Sequence, residues 1–196
     1  LSFEPLSDEP VWHESVDAYL MKADGKVVGK FYLDMHPRAG KYKHAAMFPI
    51  QTGLSTERIP MASLVCNFPD PSKGDGNALM EHTQVVTFFH EFGHCLHTIL
   101  TESKYGEFSG TSVARDFVEA PSQMFEHWVW DARVLKTFAR HYKTGAEFPD
   151  ELLAVAELFD LGPTRNVGNL SDSTAAPLKL QHHGETFGEK GGLHHT

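Results

Sequence analysis

The 196 residues carry 26 acidic against 17 basic side chains, a formal net charge of -9, and 41% hydrophobic residues with 11% aromatics. Such an acidic balance argues against a nucleic-acid or anionic-membrane partner, no apolar run approaches the length of a membrane span, and the hydrophobic content suits one domain with a sizeable core. The two cysteines, Cys66 and Cys95, are too few for a disulfide framework and fit a reducing compartment. The first residues, Leu1-Ser2-Phe3-Glu4-Pro5, have neither an initiator methionine nor a signal-peptide pattern, so the sequence reads as a fragment or processed product, and a cytoplasmic location is expected.

Taken in order, the chain opens with a loop-like segment rich in proline and acidic residues. Residues 16–21 and 27–33 then read as two strands joined at Asp24-Gly25, a hairpin signal. Residues 37–41 form a turn, and residues 44–50 and 61–68 are two further strand candidates separated by a polar loop that Pro60 closes. Together they make a small, largely antiparallel sheet, whose edge would let an extended peptide pair whatever its side chains. Which strand is the edge is not readable at this level. His36 and His44 read as surface or hydrogen-bonded structural histidines.

After a loop over residues 69–77, the run Val85-Val86-Thr87-Phe88-Phe89-His90-Glu91-Phe92-Gly93-His94-Cys95-Leu96-His97 predicts a helix. Val85, Phe88, Phe89, Phe92, Cys95, Leu96 and Ile99 recur at three- and four-residue steps and form its buried face. A second stripe runs Thr87, His90, His94, His97, Thr101. His90 and His94 stand one turn apart in an H-E-x-x-H pattern, where both imidazoles can reach one ion. Gly93 costs about 1 kcal/mol against alanine inside a helix, which is explained if something approaches the backbone closely there. Cys95 reads as a buried, inert thiol.

A two-histidine site needs one more protein donor, usually from a second helix packed on the first. Residues 115–130 predict that helix, with Phe117, Val118, Pro121, Met124, Phe125, Trp128 and Val129 on its apolar side. Glu119, Gln123 and Glu126 share one stripe, which makes Glu119 the candidate ligand. Asp116 is a natural N-cap, although Pro121 lies too far in for an undisturbed helix and implies a kink or a later start. Glu126 reads either as a partner that orients a ligating histidine or as a carboxylate on a solvated face; Asp116 and His97 are further candidates for supporting the ligands from behind.

Between the two helices, residues 103–110 form a connection that serves as a plain linker or a flap over substrate. Beyond Asp131 the helical pattern continues through Val134, Leu135, Phe138 and Tyr142 to a stop at Gly145. Another amphipathic helix is expected from about Asp150 to Gly162-Pro163. The tail over residues 166–196 has no sustained periodicity and reads as irregular or disordered; its His182-His183 and His194-His195 pairs would catch metal adventitiously.

Several blocks in fixed order carry a family resemblance. His90-Glu91-Phe92-Gly93-His94, Phe108-Ser109-Gly110-Thr111, Asp116-Phe117-Val118-Glu119-Ala120-Pro121-Ser122-Gln123-Met124 and Trp128-Val129-Trp130-Asp131 resemble the thimet oligopeptidase and neurolysin family of zinc peptidases, which includes oligopeptidases and dipeptidyl carboxypeptidases. Upstream, Phe31-Tyr32-Leu33-Asp34, Pro37-Arg38, Gly40-Lys41-Tyr42 and His44-Ala45-Ala46 are similar to the segment that precedes the zinc helix there. The resemblance covers residues 1–165. It implies one zinc ion held by His90, His94 and Glu119, Glu91 as the group that polarises the attacking water, and short peptides as substrates, cut in a channel between two helical halves.

The chain departs from that family in its tail. Relatives carry a glycine-rich loop and substrate-contacting tyrosines well downstream, whereas Tyr19, Tyr32, Tyr42, Tyr105 and Tyr142 all lie upstream here; the long N-terminal helical region is also missing. The expected fold is α+β and zincin-like, a helix-rich catalytic core (1–165) with a small sheet beside the metal helix, followed by an unmatched tail (166–196). The expected function is zinc-dependent hydrolysis of short peptides. Two alternatives stay open: a silent zinc-binding fragment, and a structural module whose histidines are core residues. Glu91 favours catalysis, because a purely structural zinc site closes its fourth position and has no use for a carboxylate beside it.

Overall fold

The computed structural model describes residues 1–55, 58–73 and 78–147. Five strands, β1 (Ser2–Pro5), β2 (Val16–Ala23), β3 (Lys26–Asp34), β4 (Ala46–Gln51) and β5 (Met61–Val65), precede three helices, α1 (His82–Ile99), α2 (Ala120–Glu126) and α3 (Ala132–Phe138). Single 3-10 turns occupy Gly106–Phe108 and His127–Val129. The mixed content makes the fold α+β. No helix among the described residues is long and apolar enough to cross a membrane. The expected helix from Asp150 and the tail over residues 166–196 lie outside the described residues.

The sheet runs β1-β2-β3-β5-β4, so β1 and β4 are its edges. All neighbours are antiparallel except β3 and β5, which are parallel because the chain leaves β3, forms the outer strand β4 and returns inside it. The β2–β3 turn is the expected hairpin, with both Asp24 (φ 49) and Gly25 (φ 77) in the left-handed region that such two-residue turns require. β1 corrects the loop expected at the N-terminus. All four of its residues are exposed, so it has no hydrophobic alternation to read and becomes a strand only through its ladder with β2.

One face of the sheet packs on α1. Met21, Phe31, Ala62, Leu64 and Cys66 from the strands and their flanks meet Val85, Cys95, Leu96 and Ile99 from the helix in one buried cluster. Glu81 caps α1 and its N–H donates to Gln84 Oε1 at 2.9 Å, satisfying one of the groups a helix start leaves open. Both cysteines are free and buried, as expected of inert thiols; burial, then the charge of Glu91, pushes the Cys66 thiol up to about 12.

α2 starts later than a cap at Asp116 requires. Glu119 is its N-cap and Ala120 its first residue, which puts Pro121 in the first turn, where a missing N–H costs nothing. Residues 114–118 form turns instead, with Phe117 N–H and Val118 N–H both donating to Ala114 O. The helical run expected through Tyr142 also stops early, at Phe138. Asp131 takes an extended backbone (ψ 118) and accepts from Arg133 N–H, so it caps a separate short helix. Past Ala139 the chain turns back on itself through an isolated bridge between Arg140 and Glu147.

A buried ionic cluster fixes the crossover from β3 to β4. Asp34, at 2% exposure, accepts from Arg38 at 2.6 and 2.8 Å, from Lys41 Nζ at 2.9 Å and from Trp12 Nε1 at 2.9 Å. Lys41 Nζ also donates to the carbonyls of Asp34, His36 and Cys66, tying three chain segments together. Burial alone would raise the Asp34 pKa, but Arg38, Trp12 and Lys41 together hold it well below its ordinary 3.8. Its contribution to stability is therefore complete above that value and is lost as the pH falls through and below it. Asp34→Ala leaves the buried Lys41 without a counter-charge and is expected to cost about 3–5 kcal/mol in urea denaturation at neutral pH, a difference that shrinks below about pH 4.

Candidate metal centre

The site forms where α1 and α2 touch. Glycine at position 93 permits the contact: a Cβ there would stand 2.7 Å from Ser122 Cα and 3.1 Å from the Pro121 carbonyl oxygen. Ser122 is fully buried in this contact and its hydroxyl donates to Glu119 Oε2 at 2.9 Å. The close approach brings the start of α2 over the histidine stripe of α1.

Three donors converge there. His94 Nε2 lies 3.0 Å and His90 Nε2 3.3 Å from Glu119 Oε2, and the two imidazoles stand nearly perpendicular, 83° apart with centroids at 4.9 Å. One ligand atom from each of the three residues falls within 4.8 Å of the others. Two imidazole nitrogens and one carboxylate oxygen are a donor set suited to a divalent metal such as zinc.

The protonation pattern fits as well. His90 Nδ1 lies 2.6 Å from Glu126 Oε1. An ionised carboxylate only accepts, so in the neutral ring Nδ1 carries the hydrogen and Nε2 keeps its lone pair towards Glu119. Glu119 itself stays ionised: partial burial raises its pKa, but the Ser122 hydroxyl and the neighbouring His94 and His90 outweigh burial and lower it. His94 Nδ1 is buried without a hydrogen-bond partner among the described residues.

Glu91, next to His90, is held from the sheet. Met47 N–H of β4 donates to Glu91 Oε2 at 2.8 Å, which fixes one carboxylate oxygen 44 residues away in sequence. This contact was not readable in the sequence, since neither residue carries a local signal for the other. The Ser122 bond to Glu119 was not read there either, although the two residues stand three positions apart at a helix start, within reach of one another.

Of the supporting candidates, Glu126 reaches the site and the other two do not touch the converging donors. Asp116 lies exposed in the turn before α2, displaced by the late helix start. His97, one turn past His94, packs edge-on against Phe117 at 6.2 Å, and burial, then His94, lowers its pKa. It borders an apolar hollow of about 480 Å³ shared with Leu96, Phe108, Pro121 and Phe125.

A helix bearing two histidines, facing a carboxylate on its packed neighbour and flanked by a five-stranded sheet, defines an α+β chain with a candidate metal centre. The family model of peptidase family M3 matches residues 1–159, and the chain belongs to that family. It is 47% identical over 140 residues to a thimet-like oligopeptidase of Dictyostelium discoideum, covering 67% of this chain and 21% of the relative. It is 42% identical over 156 residues to saccharolysin of Saccharomyces cerevisiae, covering 74% and 22%. The same identity and length hold for a mitochondrial intermediate peptidase of Arabidopsis thaliana, at 76% and 22%. The chain thus spans about a fifth of the length of these relatives.

Because Gly93 has no room for a side chain, Gly93→Ala is expected to force α1 and α2 apart and to destabilise the fold by about 1–3 kcal/mol, as read by chemical denaturation.

Proposed function

We propose that this chain is the metal-holding core of a zinc-dependent oligopeptidase that hydrolyses peptide bonds in short peptides. The observation that carries the reading is the convergence of His90 Nε2, His94 Nε2 and Glu119 Oε2 beside an anchored Glu91. Family membership supports it, as do the printed names of the relatives.

In this reading His90, His94 and Glu119 hold one zinc ion, and Glu126 keeps the His90 ring in the ligating tautomer. Zinc, when bound, supplies a Lewis acid that acidifies a water and polarises a carbonyl within its reach. Glu91 is the proton carrier. With Oε2 tied to Met47 N–H, its Oε1 takes the proton from the attacking water and returns it to the leaving amine. The α+β arrangement of helix and sheet is, on this reading, zincin-like, and β4 lies nearest the reacting groups as an edge to which an extended substrate can add.

A second reading is favoured by the chain's span of about a fifth of its relatives: a zinc-binding core that holds metal or peptide without efficient cleavage by itself. The two readings separate on one experiment. Cleavage of an internally quenched peptide, abolished by chelator, restored by zinc and reduced about 100- to 10,000-fold in Glu91→Gln, supports the peptidase. One tightly held zinc with no cleavage above Glu91→Gln supports the silent core. No tight zinc overturns both.

Zinc titration with a competing chromophoric chelator checks the ligand set. Glu119→Ala is expected to abolish tight binding, and Glu126→Gln to weaken it about 10- to 100-fold while leaving the helix contact intact.

A further inference from the structure

The hydrogen-bonding sides of β5 can be assigned residue by residue. Lys30 N–H donates to Pro60 O at 3.0 Å and Cys66 N–H to Asp34 O at 2.8 Å, so the even-numbered residues of β5 and its flanks face β3. Its odd-numbered residues face β4, where Val65 is opposite Ala46 and Ser63 opposite Phe48. Met47 and Pro49, opposite Leu64 and Ala62, therefore turn their backbone groups to the free edge of the sheet. The Met47 N–H bond to Glu91 at 2.8 Å, made away from β5, agrees with this assignment.

The chemistry of that free edge is one-sided. The Met47 N–H is taken by Glu91 and Pro49 has no N–H, while the carbonyls of Met47 and Pro49 accept no hydrogen bond from any described residue. Among the described residues no side chain covers the edge: Pro49 is exposed, Phe48 and Ile50 are 42% and 47% exposed, and the Met47 sulfur faces α1, where the Thr98 hydroxyl lies 3.7 Å away. Two acceptors stand side by side with no donor between them.

We propose that β4 is an acceptor-only edge, so that a peptide docking along it is recognised through two of its own backbone N–H groups, two residues apart, with Pro49 as the specificity-determining residue. The substrate half of this proposal rests on the peptidase reading. A carbonyl acceptor of an ordinary edge strand is accompanied by an N–H that holds the partner's carbonyl; here that second bond is absent at both positions. Peptides with proline or an N-methyl group at either docking position lose their only backbone bond there.

Two measurements test it. Amide hydrogen exchange read by NMR on the full chain should find the Met47 amide protected, with exchange at least about 10-fold faster in Glu91→Ala; a freely exchanging Met47 amide in the unaltered chain overturns the proposal. An N-methyl scan of a quenched peptide with the zinc-loaded chain should find two positions, two residues apart, at which kcat/KM falls about 3- to 10-fold each. Pro49→Ala, which restores an N–H, should lower KM for the unmodified peptide by a similar factor. Equal tolerance of N-methylation at every position, or an unchanged KM in Pro49→Ala, overturns it. A protected Met47 amide with no cleavage of any peptide upholds the acceptor-only edge and overturns the peptidase reading instead.

Discussion

The contact between α1 and α2 at Gly93 is the constraint on which the site depends. Two histidines one turn apart are two of the three candidate donors, and the third, Glu119, stands at the start of the packed helix, so a small rotation or separation would scatter the donors. Backbone meeting backbone leaves little freedom for either. Ser122 ties packing to chemistry, because the residue buried in the contact is also the one whose hydroxyl orients Glu119. A second tether lies at the far end: His82, the first residue of α1, has Nε2 3.0 Å from the Val129 carbonyl oxygen, and its ring stands edge-on to Trp130 at 4.3 Å. Held at two points, α2 keeps both Glu119 and Glu126 on the histidine stripe.

A second line of support reaches the site through the sheet. The Asp34, Arg38 and Lys41 cluster pins the crossover that leads from β3 into β4, and β4 in turn presents Met47 N–H to Glu91. Lys41 is almost fully buried, and such an ammonium group is tolerated because every one of its hydrogens meets a carbonyl or a carboxylate. Charge buried for the sake of geometry is a costly way to gain stability, so the more persuasive role of this cluster is positional. It converts a loop of some ten residues into a fixed approach to the edge strand beside Glu91.

Local pattern made much of this legible. The H-E-x-x-H helix, the Asp24-Gly25 hairpin and the two central strands follow from periodicity and turn chemistry that act within a few residues. Glu119 and Glu126 were marked by their spacing on one stripe, and the structure places Glu126 Oε1 2.6 Å from His90 Nδ1. Where the pattern misled, a neighbour far along the chain decided the outcome. β1 has no alternation of its own and exists through β2, while Asp116 lost its capping place because Pro121 is accommodated only by a later start. Asp131 ended one helix and capped the next, which the continuous apolar spacing through Tyr142 concealed.

The sequence by itself determined which residues are candidate ligands, since imidazole spacing on a helix and carboxylate spacing on its neighbour are properties of 3.6-residue geometry and need no partner to be read. It also determined the family, through several blocks in order. Only the tertiary structure decided that β4 is an edge, that its Met47 amide belongs to Glu91, and that Gly93 is where the helices meet. Those facts depend on strand order, register and helix approach, which long-range packing selects among arrangements that local propensity leaves equal in energy.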